Sequence, residues 1–172
     1  PGRYTVSAEK PGFKKFIMEA VPLSAMAERR VDVKLEVGAV TESVTVAATS
    51  GDLHRVALDT GYSGGQGTIL EANAAGDFVT YTVNVPEART YDIRVRVKKW
   101  NNRGVWQFSS NGVNQGSPVD GFSSTATFPE IDIGNLTFST AGNKSFRFMI
   151  TGKNASSAGF WVALDYIRLI PQ

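Results

Sequence analysis

The chain has 172 residues, 42% of them hydrophobic and 20% charged, with 18 Lys+Arg against 16 Asp+Glu, a net charge of +2 and no cysteine. This balance excludes intrinsic disorder, and the missing thiols exclude disulfides, thiolate zinc sites and cysteine nucleophiles. The basic residues form only isolated doublets, Lys14-Lys15, Arg29-Arg30 and Lys98-Lys99, too short to track a phosphate backbone, so no nucleic-acid partner is expected.

From the start of the chain the hydrophobic period is two. Tyr4, Val6 and Ala8 alternate with Thr5 and Ser7, and Pro11-Gly12 marks a turn. Residues 16–23 form a short apolar run, and residues 24–30 are a helical candidate too short to stand alone. Val31, Val33, Leu35 and Val37 alternate with Asp32, Lys34 and Glu36, the pattern of a half-buried antiparallel strand. Gly38 breaks that pattern, and Val44 and Val46 continue it. Four strands are thus expected in residues 1–48, followed by a domain boundary in the small, polar stretch 47–53. The opening Pro1-Gly2-Arg3-Tyr4 begins in mid-pattern without a signal peptide, and the chain is expected to be a fragment of a longer precursor. No apolar run reaches the roughly 18 residues a spanning helix needs, so no membrane insertion is expected.

Beyond the boundary, residues 61–67 form a Gly-rich loop. It lacks the terminal Gly-Lys-Ser/Thr of a phosphate loop and no helix follows. Val79, Tyr81, Val83 and Val85 then alternate with Thr80, Thr82 and Asn84 up to Pro86, and Tyr91, Ile93, Val95 and Val97 alternate with Asp92, Arg94 and Arg96. A strand over 105–109 closes on Asn111-Gly112, a hairpin signal. Phe146, Phe148 and Ile150 alternate with Arg147 and Met149. The last run, 160–170, is apolar on both faces, as a central strand would be. About eight short strands at regular spacing predict an all-β chain of two β-sandwich modules, at 1–48 and 49–172.

Two family resemblances attach to these residues. Gly2-Arg3-Tyr4-Thr5-Val6, Lys10-Pro11-Gly12-Phe13, Val31-Asp32-Val33-Lys34-Leu35 and Val40-Thr41-Glu42-Ser43-Val44-Thr45-Val46 resemble the C-terminal half of a carboxypeptidase-regulatory-like domain. That resemblance implies a partial prealbumin-like sandwich lacking its leading strands. The second rests on Ala75-Gly76-Asp77-Phe78-Val79-Thr80-Tyr81, Val85-Pro86, Tyr91-Asp92-Ile93-Arg94-Val95, Arg103-Gly104-Val105-Trp106-Gln107, Gly134-Asn135-Leu136, Thr151-Gly152-Lys153-Asn154 and Leu164-Asp165-Tyr166-Ile167-Arg168-Leu169. These pieces resemble the galactose-binding-like jelly roll of carbohydrate-binding modules in families six and thirty-five. The resemblance implies a non-catalytic, secreted or cell-surface bacterial module whose partner is a polysaccharide or glycan.

It also implies a structural calcium. Asp165 matches the Asp of the closing motif, and Asp59, near Val56-Ala57-Leu58, stands where the family carries a Glu-Ala-Glu strand. Two carboxylates plus carbonyls would have to supply the oxygens calcium prefers. Family-six modules often carry a sugar-contacting Asn two residues before that Asp; here it is Ala163.

Sugar binding needs an aromatic face for the ring and fixed polar groups for its hydroxyls. The loop Trp100-Asn101-Asn102-Arg103 offers both, with Tyr62, Phe122 and Asn154 as further loop candidates. In the alternative reading Trp100 caps the sandwich edge and Arg103 makes a structural ion pair with Asp77 or Asp120. Trp106 alternates with Phe108 and reads as core, and Trp161 as core or a domain interface. Catalysis is not expected: His54 is the only histidine, and no carboxylate spacing demands a pair. The alternative function is a structural or adhesive module joined to other copies, or to a larger parent polypeptide, through exposed β edges.

Overall fold

Valines, isoleucines and aromatics at every second position leave water only if each strand turns that face to another sheet. The computed structural model of the chain describes residues 2–8, 16–24, 28, 30–34 and 45–172. The chain divides into two compact units, Pro1–Glu42 and Ser43–Gln172.

In the first unit, β1 (Gly2–Ala8) and β2 (Phe16–Leu23) form an antiparallel pair with an irregularity between Tyr4 and Val6. The expected turn at Pro11-Gly12 lies outside the described residues, as does most of the short helical candidate. Residues 31–34 are not in a strand, and the rest of the run predicted from Val31 to Val37 is also outside the described residues.

The second unit holds ten strands: β3 (Thr45–Thr49), β4 (His54–Leu58), β5 (Gln66–Leu70), β6 (Phe78–Val85), β7 (Thr90–Val97), β8 (Gly104–Ser110), β9 (Val113–Asp120), β10 (Glu130–Thr137), β11 (Gly142–Lys153) and β12 (Val162–Pro171). They make two five-stranded sheets, ordered β10-β7-β12-β5-β4 and β3-β6-β11-β8-β9. β3 differs from the sequence expectation. Val46, assigned to the first module, lies in an edge strand paired with β6, so the second unit begins before residue 49. β12 is central, between β7 and β5, as its two apolar faces predicted.

The core lies between the sheets. On one sheet β7 presents Tyr91, Ile93, Val95 and Val97, and on the other β6 presents Val79, Tyr81, Val83 and Val85 beside Trp106 and Phe108 of β8 and Phe146, Phe148 and Ile150 of β11. Phe148 sits at the middle, its ring 5.4 Å from Trp106, 5.3 Å from Phe108 and 6.0 Å from Tyr81. Trp106 is thus core, as read from its alternation with Phe108. Register irregularities interrupt five ladders of the second unit, and one of them matters for the site. The register passes from Leu164↔Val97 to Tyr166↔Arg96, so Asp165 is the bulged residue of β12.

Candidate functional site

Three connections gather at one end of the second unit: 98–103 between β7 and β8, 121–129 between β9 and β10, and 154–161 between β11 and β12. They are joined by main-chain bonds. The Trp100 amide donates to the Gly121 carbonyl (3.2 Å), and the Trp100 carbonyl accepts from the Ser123 amide (3.2 Å). Gly121 N donates to Gly104 O (3.0 Å), Gly104 N to Trp161 O (2.9 Å), and Trp161 N to Asn102 O (3.1 Å). Such close approach needs glycine: a Cβ on Gly121 would lie 2.7 Å from the Gly104 carbonyl oxygen. The buried Ser157 hydroxyl donates to the Arg103 carbonyl (2.8 Å) and lies 3.3 Å from that of Asn101.

This lattice brings four of the six predicted ligand residues together. Trp100 and Phe122, both half-buried, form a parallel bridge. Asn101 is exposed, and its side-chain amide has no hydrogen-bond partner among the described residues. Asn154 joins the group through Asp120, whose carboxylate accepts from Asn154 Nδ2 (2.7 Å) and from the Phe122 amide (2.8 Å). Asn154 Oδ1 accepts from the Ser156 amide (2.9 Å), so this side chain serves to shape the loop. Half-buried Phe160 and Trp161 flank the cluster, with Lys153 Nζ 5.0 Å from the Phe160 ring.

Arg103 and Tyr62 differ from expectation. Arg103 is 4% exposed and pairs with neither Asp77 nor Asp120. Its Nη1 donates to Asn102 Oδ1, its guanidinium stands 5.8 Å from the Trp161 ring, and its Nε is buried without a partner. Burial holds its pKa below the usual arginine range. Tyr62 is 3% exposed rather than an open stacking face. Its ring fills a notch left by Gly67, where a Cβ would lie 2.6 Å from it, and meets Phe128 edge-on at 5.2 Å. Its hydroxyl is buried without a partner, and burial pushes its pKa up.

The hairpin loop carrying Tyr62 reaches across to β7. Lys98 Nζ donates to Asp59 Oδ2 (2.5 Å), and Asp59 Oδ1 accepts from the Gly61 amide (2.9 Å). These bonds, Lys98 first, hold the half-buried Asp59 carboxyl below the ordinary range. Asp165 Oδ2 accepts from Arg96 Nη1 and the Ser63 amide (2.9 Å), and Oδ1 from the Ser63 hydroxyl (2.7 Å). All four carboxylate oxygens therefore already have donors, two of them cationic. Calcium takes six to eight oxygens, and no group of three or more His, Asp or Glu side chains able to hold a metal occurs among the described residues. Asp59 and Asp165 as arranged do not fit the expected ion.

The sequence reading did not pick out Lys98, Phe128 and Ser157, and it considered Asp120 only as a partner for Arg103, whereas Asp120 holds Asn154 and the Phe122 amide. Their main partners lie far off in sequence, Lys98 and Asp59 39 apart and Ser157 and Arg103 54 apart, which no local pattern encodes. Asn154 and Asp120, for instance, lie 34 apart.

No protein-family model matches the chain, and no curated protein matches it. Solved structures do. A xanthan lyase from Paenibacillus is similar at 34% identity and a TM-score of 0.71, over 77% of this chain but only 13% of the lyase. A β-(1,4)-mannanase from Podospora anserina that carries a family 35 carbohydrate-binding module is similar at 16% identity and a TM-score of 0.53, over 76% of this chain and 26% of the enzyme. A family 35 carbohydrate-binding module from an environmental isolate matches at 18% identity and a TM-score of 0.50, over 75% of this chain and 88% of that module. The chain thus spans about an eighth of the lyase and about a quarter of the mannanase, but most of the isolated module. The β-sandwich of this chain has the jelly-roll fold of the carbohydrate-binding modules.

Proposed function

We propose that the second unit binds a polysaccharide, without catalysis and outside a bacterial cell, at the end where Trp100, Asn101 and Phe122 meet. The observation that carries this reading is a half-buried indole and phenyl beside a free carboxamide, all set on loops fixed by main-chain hydrogen bonds. Half-buried rings still present an edge or face to a sugar's C–H surface, and the exposed amide can donate and accept at hydroxyls. With so few contacts, the affinity of one site is on the order of micromolar to millimolar. A non-catalytic role is supported by the carboxylates nearby. Asp59, Asp120 and Asp165 each accept from internal donors, an arrangement suited to holding loops in place rather than to proton transfer. The likeness to a stretch of a xanthan lyase fits a module that tethers an enzyme to its polymer.

The test is a glycan-array screen and polysaccharide pull-down of the full chain beside Trp100→Ala and Asn101→Ala. Binding that both substitutions weaken while the fold persists supports the reading. Absence of binding to every glycan sinks it.

A second reading has its own observation. β4 is a sheet edge whose Val56 and Leu58 are 58% and 81% exposed. Another copy of this chain would add a strand there, in a structural or adhesive assembly. Light scattering that finds only monomer at high concentration removes its support. For the first unit, the paired β1 and β2 support the resemblance to part of a carboxypeptidase-regulatory-like domain.

A further inference from the structure

We propose that the loop end of the second unit is fastened without a metal ion, by Lys98 and Arg96, which take up the carboxylates of Asp59 and Asp165 and clamp Phe128 between the hairpin loop and β7. Asp165 is placed for this by its bulge, which turns its side chain out of the ladder, and that side chain is only 2% exposed. A carboxylate so buried needs a counter-charge and donors for both oxygens. Arg96, the Ser63 amide and the Ser63 hydroxyl supply them. Asp59 is matched in the same way by Lys98 and the Gly61 amide.

The two cations converge on one ring. Arg96 and Lys98 each stand 5.6 Å from the centroid of Phe128, whose other neighbour is the edge-on Tyr62. Gly61 makes room, since a Cβ there would overlap the Phe128 ring. Lys98 Nζ also lies 5.8 Å from the Trp100 ring, so the same ion pair that holds the hairpin loop sits beside the sugar-binding candidate. Lys98 and Asp59 are then positioning residues. This last step rests on the reading of Trp100 given above; the metal-free clamp does not.

The full chain, stripped with EDTA, is titrated with calcium chloride by calorimetry, and its thermal unfolding is followed by tryptophan fluorescence. The expected result is no saturable heat and a Tm that moves by less than about 1 °C between EDTA and millimolar calcium. Lys98→Met and Asp165→Asn should each lower Tm by roughly 3–6 °C, whereas Lys98→Arg stays near the parent. The double variant Asp59→Asn/Lys98→Met should be no worse than the poorer single one, a non-additivity that unrelated packing losses would not give. Should Asp165→Asn fail to fold, the Lys98 and Asp59 variants still decide the matter. Saturable calcium binding with a Tm rise of several degrees overturns the proposal, and so do variants that leave Tm unchanged. A chain that binds no glycan yet is indifferent to calcium and sensitive to Lys98→Met removes the sugar-binding reading and leaves the clamp standing.

Discussion

Arg103 allows the sharpest energetic test of how the loop end is built. Replacing it with Met keeps the length of the stem and removes a charge that is 4% exposed and faces no carboxylate. Three terms decide the sign. The lost Nη1 bond to Asn102 is charge-assisted and contributes about 1.5–3 kcal/mol. The contact with the Trp161 ring, 5.8 Å away, adds about 0.5–2 kcal/mol. Against these stand the unpartnered Nε, which costs about 1–3 kcal/mol, and the desolvation of the charge itself, several kcal/mol for a buried ion. The half-buried Asn102 can turn its freed oxygen to water. Arg103→Met should therefore be neutral to stabilising by up to about 3 kcal/mol, as with other buried charges exchanged for apolar side chains. Tryptophan fluorescence during thermal unfolding is the assay, because Trp100, Trp106 and Trp161 all lie in the second unit and report on it alone. Arg103→Lys is the control: it keeps the charge, loses the planar fork and should destabilise. A Met variant less stable than the parent by more than about 2 kcal/mol, with Lys tolerated, would refute the reasoning and make the cation itself structural.

Three further outcomes are expected. Phe148→Ala removes a fully buried ring from a cluster of three other aromatics and should cost about 3–5 kcal/mol, read as a fall in denaturant midpoint at unchanged slope. His54, held by burial below its ordinary 6.5 with Nε2 3.0 Å from Tyr81 Oη, makes stability fall on acidification. The unfolded chain takes up the proton first, so stability is full above about pH 6.5 and declines as pH drops from there toward the folded value. His54→Gln should flatten that part of a Tm–pH profile, while Tyr81, pushed up to about 12 by burial, stays protonated throughout. Gly67→Ala would press a methyl to 2.6 Å from the Leu164 carbonyl oxygen and the Tyr62 ring, and its Tm should fall more than that of Gly64→Ala, where the space is open.

The strands that were legible in the sequence are those whose alternation faces the core. β6, β7 and β11 announce themselves because water on one side and a sheet on the other impose a period of two, and β12 because both of its faces are apolar, as a central strand's are. The strands not named lack that contrast. β5 begins at Gln66-Gly67, inside what reads as a glycine loop. β9 is an edge strand containing Gly116 and Pro118, mostly exposed, with no apolar face to reveal it. β10 carries a bulge between Asp132 and Gly134 that shifts its period by one. For the site, Trp100 and Phe122 could be picked out as aromatics in loops, and they do meet. The burial of Tyr62 was not legible, because the notch it fills is made by Gly67 and by the backbone of β12, nearly a hundred residues on.

The loop lattice at this end is made almost entirely of peptide groups: Trp100, Gly104, Gly121, Asn102 and Trp161 are held by their amides and carbonyls. A peptide group is the same whatever side chain it carries, so substitutions at Asn101, Ser123 or Ala158 leave the bonds that shape the loops intact. The frame and the surface it offers can therefore diverge at different rates. Relatives are expected to keep glycine at 104 and 121 while exchanging the exposed side chains, and with them the molecule recognised. A library randomised at the exposed positions alone should yield mostly folded proteins with altered preferences, and one randomised at the glycines should yield few that fold.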